Sequence, residues 1–337
     1  MPPPTPGSGT EAGHDPAPSE FRSAENPRQT RAPKAPAPSN STHAEDSGPL
    51  PINLSVAFSI RRRRFRRGGV NRRGWGLLIA GTLLVGGALI GAVGADRFAP
   101  SDPEAIRLAD ALLSPSAEHW MGTDQLGRDL FSRMLHGARV SMRVGVGAIG
   151  IATAVGLLIG GLAGLLGGRW DGWIMRLTDV MLCFPTIFLI LAAVAFLDNS
   201  EWNIILIIGL TGWMGVARLT RAEVLSLRER EFILAARAAG AGPARILFRH
   251  LIPNALGPVI VSAALGVGTA ILIESGLSFL GLGIQPPTPS WGNILTEGKE
   301  TLGAAWWLTL FPGLAIFFVV LGCNLLGEGL RRRWRSS

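Results

Sequence analysis

From Trp75 onward the chain is a series of long apolar runs separated by short polar stretches. The runs are Trp75 to Ala95, Val144 to Gly168, Ile174 to Leu197, Trp202 to Ala217, Leu256 to Leu280 and Ala304 to Leu326. A helix of about 20 apolar residues crosses the hydrocarbon core of a bilayer. Each run therefore predicts a transmembrane helix, the fourth lengthened by the snorkelling stem of Arg218. Six spans put both chain ends on one side. In span two Gly156, Gly160, Gly164 and Gly168 recur every four residues, which bares one helix face for close packing. A gating surface is the functional alternative to that packing role. Pro185 predicts a kink in span three.

One polar stretch differs from the rest. EFILAARAAGAGPARILFRHLIPNALGP, Glu231 to Pro258, lies between spans four and five and is too polar to cross a membrane. Glu231 to Ala239 is rich in helix formers. Gly240 and Gly242 end that run, because glycine tolerates the left-handed backbone of a helix stop. Pro243 suits the first position of a second helix. Ile246, Leu247 and Leu251 then recur at helical spacing, and Pro253 is expected to bend the chain towards span five. Ala235, Ala236, Gly240 and Ala241 are small enough for another protein surface to approach the backbone.

Composition agrees with a membrane protein. Of 337 residues 47% are hydrophobic and 17% charged, and the mean hydropathy is +0.32. The net charge of +8 comes largely from arginines beside the spans. Arg61 to Arg73 carries eight of them and directly precedes span one; Arg331, Arg332, Arg333 and Arg335 follow span six. The positive-inside rule places both termini in the cytosol, with the acidic tip Asp198 to Glu201 outside and the Glu231 loop inside. The Arg61 cluster also suits anionic lipid headgroups. Seven arginines between Arg218 and Arg249 beside two short helices resemble a DNA-binding pattern, but cytosolic loops of membrane proteins carry arginines for topological reasons, so no nucleic-acid partner is expected. Residues 1–60 are Pro-, Ser- and Ala-rich and are expected to form a disordered cytosolic tail. The remaining organisation is 61–95, basic segment and first span; 96–143, extracytoplasmic loop; and 144–330, a five-helix core with its cytosolic loop at 218–255. Cys183 and Cys323 fall in apolar runs and are expected to be buried.

The chain carries no HExxH, GxSxG or GxxxxGK[ST] string, and its five histidines do not cluster at ligand spacing. No catalytic residue, metal or cofactor is expected, and any ATP chemistry would have to sit on another chain. In the outer loop, Asp129 and Arg133 are spaced to pair on an amphipathic helix with Leu130, Met134 and Leu135 on its apolar face. Glu274 stands out within span five, next to Ser275 and near Ser278, because a carboxylate at that depth must be paired, protonated or facing water. It either lines a translocation path with those serines or ties the span to a neighbouring helix or the outer loop. Asp179 suits the inner interface near the start of span three.

The Glu231 loop resembles the Glu-Ala-Ala-x3-Gly-x9-apolar-x-Leu-Pro loop of ABC importer permeases. Ala235, Ala236, Gly240 and Pro253 fall on that pattern; Leu234 stands at its Glu, His250 at the apolar position and Ile252 at the Leu. GTDQLGRDLFSRMLHGARVSMRVG, Gly122 to Gly145, and LGLGIQPPTPSWGNIL, Leu280 to Leu295, resemble the dipeptide, oligopeptide and nickel branch. The resemblance implies an all-α, type I importer-like permease fold with six spans in a bacterial inner membrane. It also implies a homologous second permease subunit, two ATPase subunits and an extracytoplasmic solute-binding protein. On this reading Glu231, Phe232, Ala235, Ala236, Arg237, Gly240, Ala241 and Gly242 couple the permease to the ATPases. A self-sufficient secondary transporter or channel is the rival; it predicts inverted repeats or charges along several spans.

Overall fold

The computed structural model describes residues 72–334 and is helical throughout, apart from loops and one isolated bridge between Thr123 and Asp129. The 1–60 tail and most of the basic segment lie outside the described residues. Among the described residues, five helices or helical runs are long and apolar enough to cross a membrane. A bent pair of helices makes the sixth span when taken as one.

The first, α1 (Arg72–Val93), packs along the last. A methyl group at Gly81 would stand 2.7 Å from the Gly322 carbonyl, so glycine is what lets the two backbones meet. A short α2 (Ala95–Phe98) follows, and then an outer loop with a single 3-10 turn at Leu108–Asp110.

The second long helix, α3 (Leu130–Leu166), runs 37 residues, about 55 Å at 1.5 Å per residue. The amphipathic segment expected in the outer loop and span two are thus one unbroken helix. Asp129 caps its start: the carboxylate accepts from the Ser132 N–H at 2.8 Å. The glycine ridge is a packing surface. Side chains at Gly156, Gly160 or Gly164 would stand 2.6, 2.2 and 2.7 Å from Val216, the Ala217 carbonyl and Val224 of α6. Gly168 does not belong to that ridge; with Gly167 it forms a left-handed turn, φ +55° and +65°.

In the place of span three stand α4 (Gly168–Cys183) and α5 (Thr186–Phe196), bent by 83° at Phe184–Pro185. Cys183, at this elbow, is exposed, whereas Cys323 is buried. The fourth span, α6 (Glu201–Leu227), is ten residues longer at its inner end than its apolar run. Asp179 of α4 pairs with Arg218 of α6, and Asp171 with Arg221; charge pairing, not a helix N-terminus, accounts for Asp179.

After the loop helices α7 (Glu231–Ala238) and α8 (Pro243–Ile246), a π turn at Leu247–Leu251 leads into α9 (Ile252–Phe279). Pro253 does not end the helical run, which passes through it. The wider π turn lets the Ile252 N–H reach the Leu247 carbonyl, and the Asn254 amide donates to the His250 carbonyl at 2.6 Å, so the run from Pro243 to Phe279 stays helical. Between α9 and the last span lies α10 (Trp291–Glu300), opened by a capping box of Ser290 and Asn293. The last span is α11 (Trp307–Trp334), whose final turn carries Arg331, Arg332 and Arg333.

Apolar packing is concentrated in three clusters. One joins α3, α10 and α11 near Trp291 and Trp307. Another joins α3, α5, α6 and α9. The third, around Ile233, Leu247 and Leu251, sits under α7.

Candidate functional site

The loop between α6 and α9 is a small rigid body with a buried pin. Ile233 is fully buried among Val224, Ile246, Leu247 and Leu251, with Leu165 and Leu227 packed around them. These residues come from α3, α6, α8 and the π turn, so the pin ties α7 to the inner ends of two spans and the start of a third. The turn after α7 is a Schellman motif: the Gly240 N–H donates to the Arg237 carbonyl at 2.9 Å and the Ala241 N–H to the Ala236 carbonyl at 3.0 Å. Gly240 adopts φ +82°, the left-handed conformation that the sequence predicts there. Gly242 does not share it; at φ −68° it is the extended residue before Pro243.

The surface this body presents holds most of the residues singled out from the sequence. Glu231, Phe232, Ala235, Arg237, Gly240 and Gly242 are exposed; Ala236 and Ala241, the contact pair of the Schellman motif, are half-buried. Leu234, at the position where the resembling loop has Glu, is 52% exposed and stands beside Phe232 at 42%. A cavity of about 440 Å³ opens next to them, lined by Leu165, Leu166, Arg228, Glu229, Leu234 and Arg237. Two large apolar side chains on an exposed, rigid, small-residue surface suit a protein partner. Sequence reasoning missed Ile233. Its signal is weak: it is one of three consecutive apolar residues in EFIL, distinguished only by packing with Ile246 across the turn.

Glu274, Ser275 and Ser278 come together, but inside the subunit. The Glu274 carboxylate is fully buried and accepts from the hydroxyls of Ser278 and Ser290, each at 2.9 Å, with that of Ser275 at 3.5 Å. Ser290 also accepts from the Asn293 N–H at 3.1 Å, so one hydroxyl caps α10 and holds it to α9. Gly292 makes that approach possible: a methyl there would lie 2.8 Å from Ser275 and Ser278. This is the geometry of a tie to the outer loop. A separate cleft of about 440 Å³ runs between α3, the α4–α5 elbow, α6 and α9, with Thr186, Thr211, Ser262 and Thr269 on apolar walls; Glu274 is not among its lining residues.

The outer segment Gly122 to Gly145 forms a second tie. Asp124 accepts from Arg128 at 2.7 Å and from Arg133, and Glu297 of α10 accepts from Arg128 at 3.1 Å and Arg133 at 2.8 Å. Asp124 and Arg133 are fully buried. The expected Asp129–Arg133 pair is absent: the Asp129 carboxylate turns back to cap α3 and also faces His119 at 3.0 Å, which leaves Arg133 to Asp124 and Glu297.

A bundle of membrane-spanning helices with a small pinned loop at one end, an internal cleft and a braced loop at the other is the organisation of a multi-pass transport permease. The chain belongs to the family described as binding-protein-dependent transport system inner membrane component, whose profile matches residues 156–336. It is 42% identical over 288 residues to a dipeptide transport system permease protein, DppC, of Alkalihalophilus pseudofirmus, across 85% of this chain and 93% of that one. The di/tripeptide permease DppC of Pseudomonas aeruginosa is 42% identical over 69% of this chain and 79% of its own. The nickel transport permease NikC of Escherichia coli K12 is 40% identical over 76% and 92%. The protein is therefore a non-catalytic, multi-pass inner-membrane permease subunit of an ABC importer.

Proposed function

We propose that this chain forms half of the translocation path of an importer for short peptides, paired with a homologous permease, two cytosolic ATPase subunits and an extracytoplasmic solute-binding protein. The observation that carries the coupling role is the Ile233 pin. A force applied to α7 reaches the ends of α3, α6 and α9 through close-packed side chains, because packed interiors transmit displacement rather than absorb it. Glu231, Phe232, Ala235, Ala236, Arg237, Gly240, Ala241 and Gly242 form or shape the surface that receives that force. Alternating access follows when the ATPases close and the loop moves with them.

Both termini lie in the cytosol on this reading. The support is the arginine-rich end of α11, which meets the start of α1 where Arg333 stacks over Trp75 at 5.3 Å. For the substrate, support comes from the relatives that carry peptides and from the cleft. Its lining offers hydroxyls and no carboxylate, imidazole or thiolate, which suits amide groups better than a bare metal ion. The hydroxyl-bearing cleft forms the wall of the path, and Glu274, Ser275 and Ser278 brace its outer end.

The test is co-expression with the partner subunits, followed by co-purification and peptide-stimulated ATP hydrolysis in reconstituted membranes. Phe232→Ala with Leu234→Ala is expected to insert normally and lose ATPase retention. Full retention by that variant would refute the docking role.

A further inference from the structure

We propose that α4 lies in the plane of the cytosolic membrane interface and holds the headgroup of an anionic phospholipid between Arg169 and Arg176. The orientation follows from its ion pairs. Asp171 and Asp179 are eight residues apart on α4, about 12 Å, yet their partners Arg221 and Arg218 are three apart on α6, about 4.5 Å. Helices running side by side would keep equal spacings; α4 instead crosses α6 steeply near its inner end. The 83° bend into α5 turns the chain from that plane into the bilayer.

The faces of α4 fit that placement. Thr178 is buried and Asp171 is directed at α6, while Trp170, Trp173, Leu177 and Val180, spaced as one helical stripe, are each more than half exposed. Exposed tryptophans at helix level mark the membrane–water interface. Arg169 and Arg176, two turns apart, border that stripe. Neither makes an ion pair with another described residue, whereas Arg218 and Arg221 beside them do. Arg176 rests over the Trp173 ring at 5.9 Å. Together with Gly168, Gly172 and Trp173 they line a niche of about 400 Å³. A side chain added at Gly168 or Gly172 would meet no atom within 4 Å, so these glycines serve no packing inside this chain. Two unpaired guanidiniums above a bare floor match a phosphate diester, and the tryptophan stripe beside them matches the acyl chains attached to it. That stripe selects a lipid over free phosphate.

The site rests on the cytosolic placement of this end of the bundle, proposed above. The test uses the full-length protein in detergent doped with equal phosphatidylglycerol and phosphatidylcholine, with bound lipid counted by native mass spectrometry. Wild type is expected to retain phosphatidylglycerol selectively. Arg169→Gln and Arg176→Gln should each weaken retention about fivefold, and both together about thirtyfold. The two Arg→Lys changes should restore most of it. The pair Arg245→Gln and Arg249→Gln removes the same charge at exposed positions away from the niche and should change nothing. Equal retention of both lipids, loss in the control pair, displacement by millimolar inorganic phosphate, or a disulfide from Trp173→Cys to a second permease in the intact transporter would each overturn the proposal. Sidedness is read separately, by an impermeant thiol reagent on Glu229→Cys in a Cys183→Ser background, so a failed orientation is distinguishable from a failed lipid site.

Discussion

Gly240 offers the sharpest test of how the loop works, because its penalty is confined to the backbone. At φ +82° most residues with a Cβ are strained, β-branched ones most of all, yet a Cβ there would touch nothing within 4 Å. The cost of Gly240→Val is therefore the left-handed backbone itself, about 1–2 kcal/mol and more for a β-branched residue. Relief means giving up the two Schellman hydrogen bonds, each contributing about 0.5–1.5 kcal/mol. An eight-residue helix has no stability of its own to absorb that loss. A difference of 1–2 kcal/mol moves a conformational equilibrium by a factor of roughly 5 to 30. Gly240→Asn is the control, since asparagine enters this backbone region readily. In reconstituted transporter, Val should insert normally while substrate-stimulated ATP hydrolysis falls by roughly that factor; Asn should stay within about twofold of wild type. A Val variant with normal stimulation would refute the coupling role of the turn. An Asn variant as defective as Val would show that the bare surface, not the backbone, is what matters.

Ile233→Ala removes the pin at a local cost of about 2–5 kcal/mol, so limited proteolysis between residues 228 and 242 should accelerate with the spans intact; unchanged cleavage would mean the pin is not what holds α7. Glu274→Ala leaves the Ser278 and Ser290 hydroxyls without their acceptor, at about 1–3 kcal/mol, and should lower the thermal midpoint more than Glu274→Gln; lost uptake without lost stability would instead favour direct contact with substrate. Asp96, outside the spans, is held below the usual carboxylate range by hydrogen bonds from Arg139, with His136 also facing it. A depressed folded pKa adds stability above the ordinary value of about 4 and loses it as pH falls through the folded value. Wild type and Asp96→Asn should therefore converge in thermal midpoint only below about pH 4; a gap that closes at neutral pH would contradict this. Reporter fusions after Ser336 and within 198–201 should report cytosol and exterior, and the reverse pattern would invert the orientation.

The spans and the loop were legible because their signals are local. Apolar length marks a membrane helix whatever surrounds it, and Gly240 and Pro243 punctuate a turn by their own backbone limits. What escaped depends on distant partners. Arg133, Arg139 and Arg143 make the start of α3 read as an amphipathic helix separate from the span, yet Arg133 is buried there because Glu297, 164 residues away, receives it. The same partner defeats the local rule that pairs Asp129 with Arg133 at i, i+4. The inner turns of α6 carry Arg218 and Arg221, which end the apolar run, yet the helix continues with Val224 buried against Gly164 and the two arginines paired to Asp179 and Asp171. Four glycines at equal spacing look alike in the sequence; three meet α6 and the fourth turns the chain.

Glu274 and Gly240 belong to one mechanical element. The helical run from Pro243 to Phe279 starts three residues after Gly240 and carries Glu274 near its outer end. Its inner end is fixed to α7 by the Ile233 cluster, and its outer end to α10 by Ser278, Ser290 and the close contact at Gly292. Between them it forms one wall of the cleft through Ser262, Ala263, Gly266, Thr269, Ala270 and Ile273. A helix resists bending except where its ladder is interrupted, and this run is interrupted at the π turn and at Pro253 and Pro258, all in its inner half. The outer stretch, residues 259–279, is therefore an uninterrupted rod. On the proposed coupling, displacement of the loop would tilt that rod and shift the cleft wall and the α10 brace together, so a backbone change at Gly240 and a side-chain change at Glu274 are both expected to alter transport without either touching the cleft.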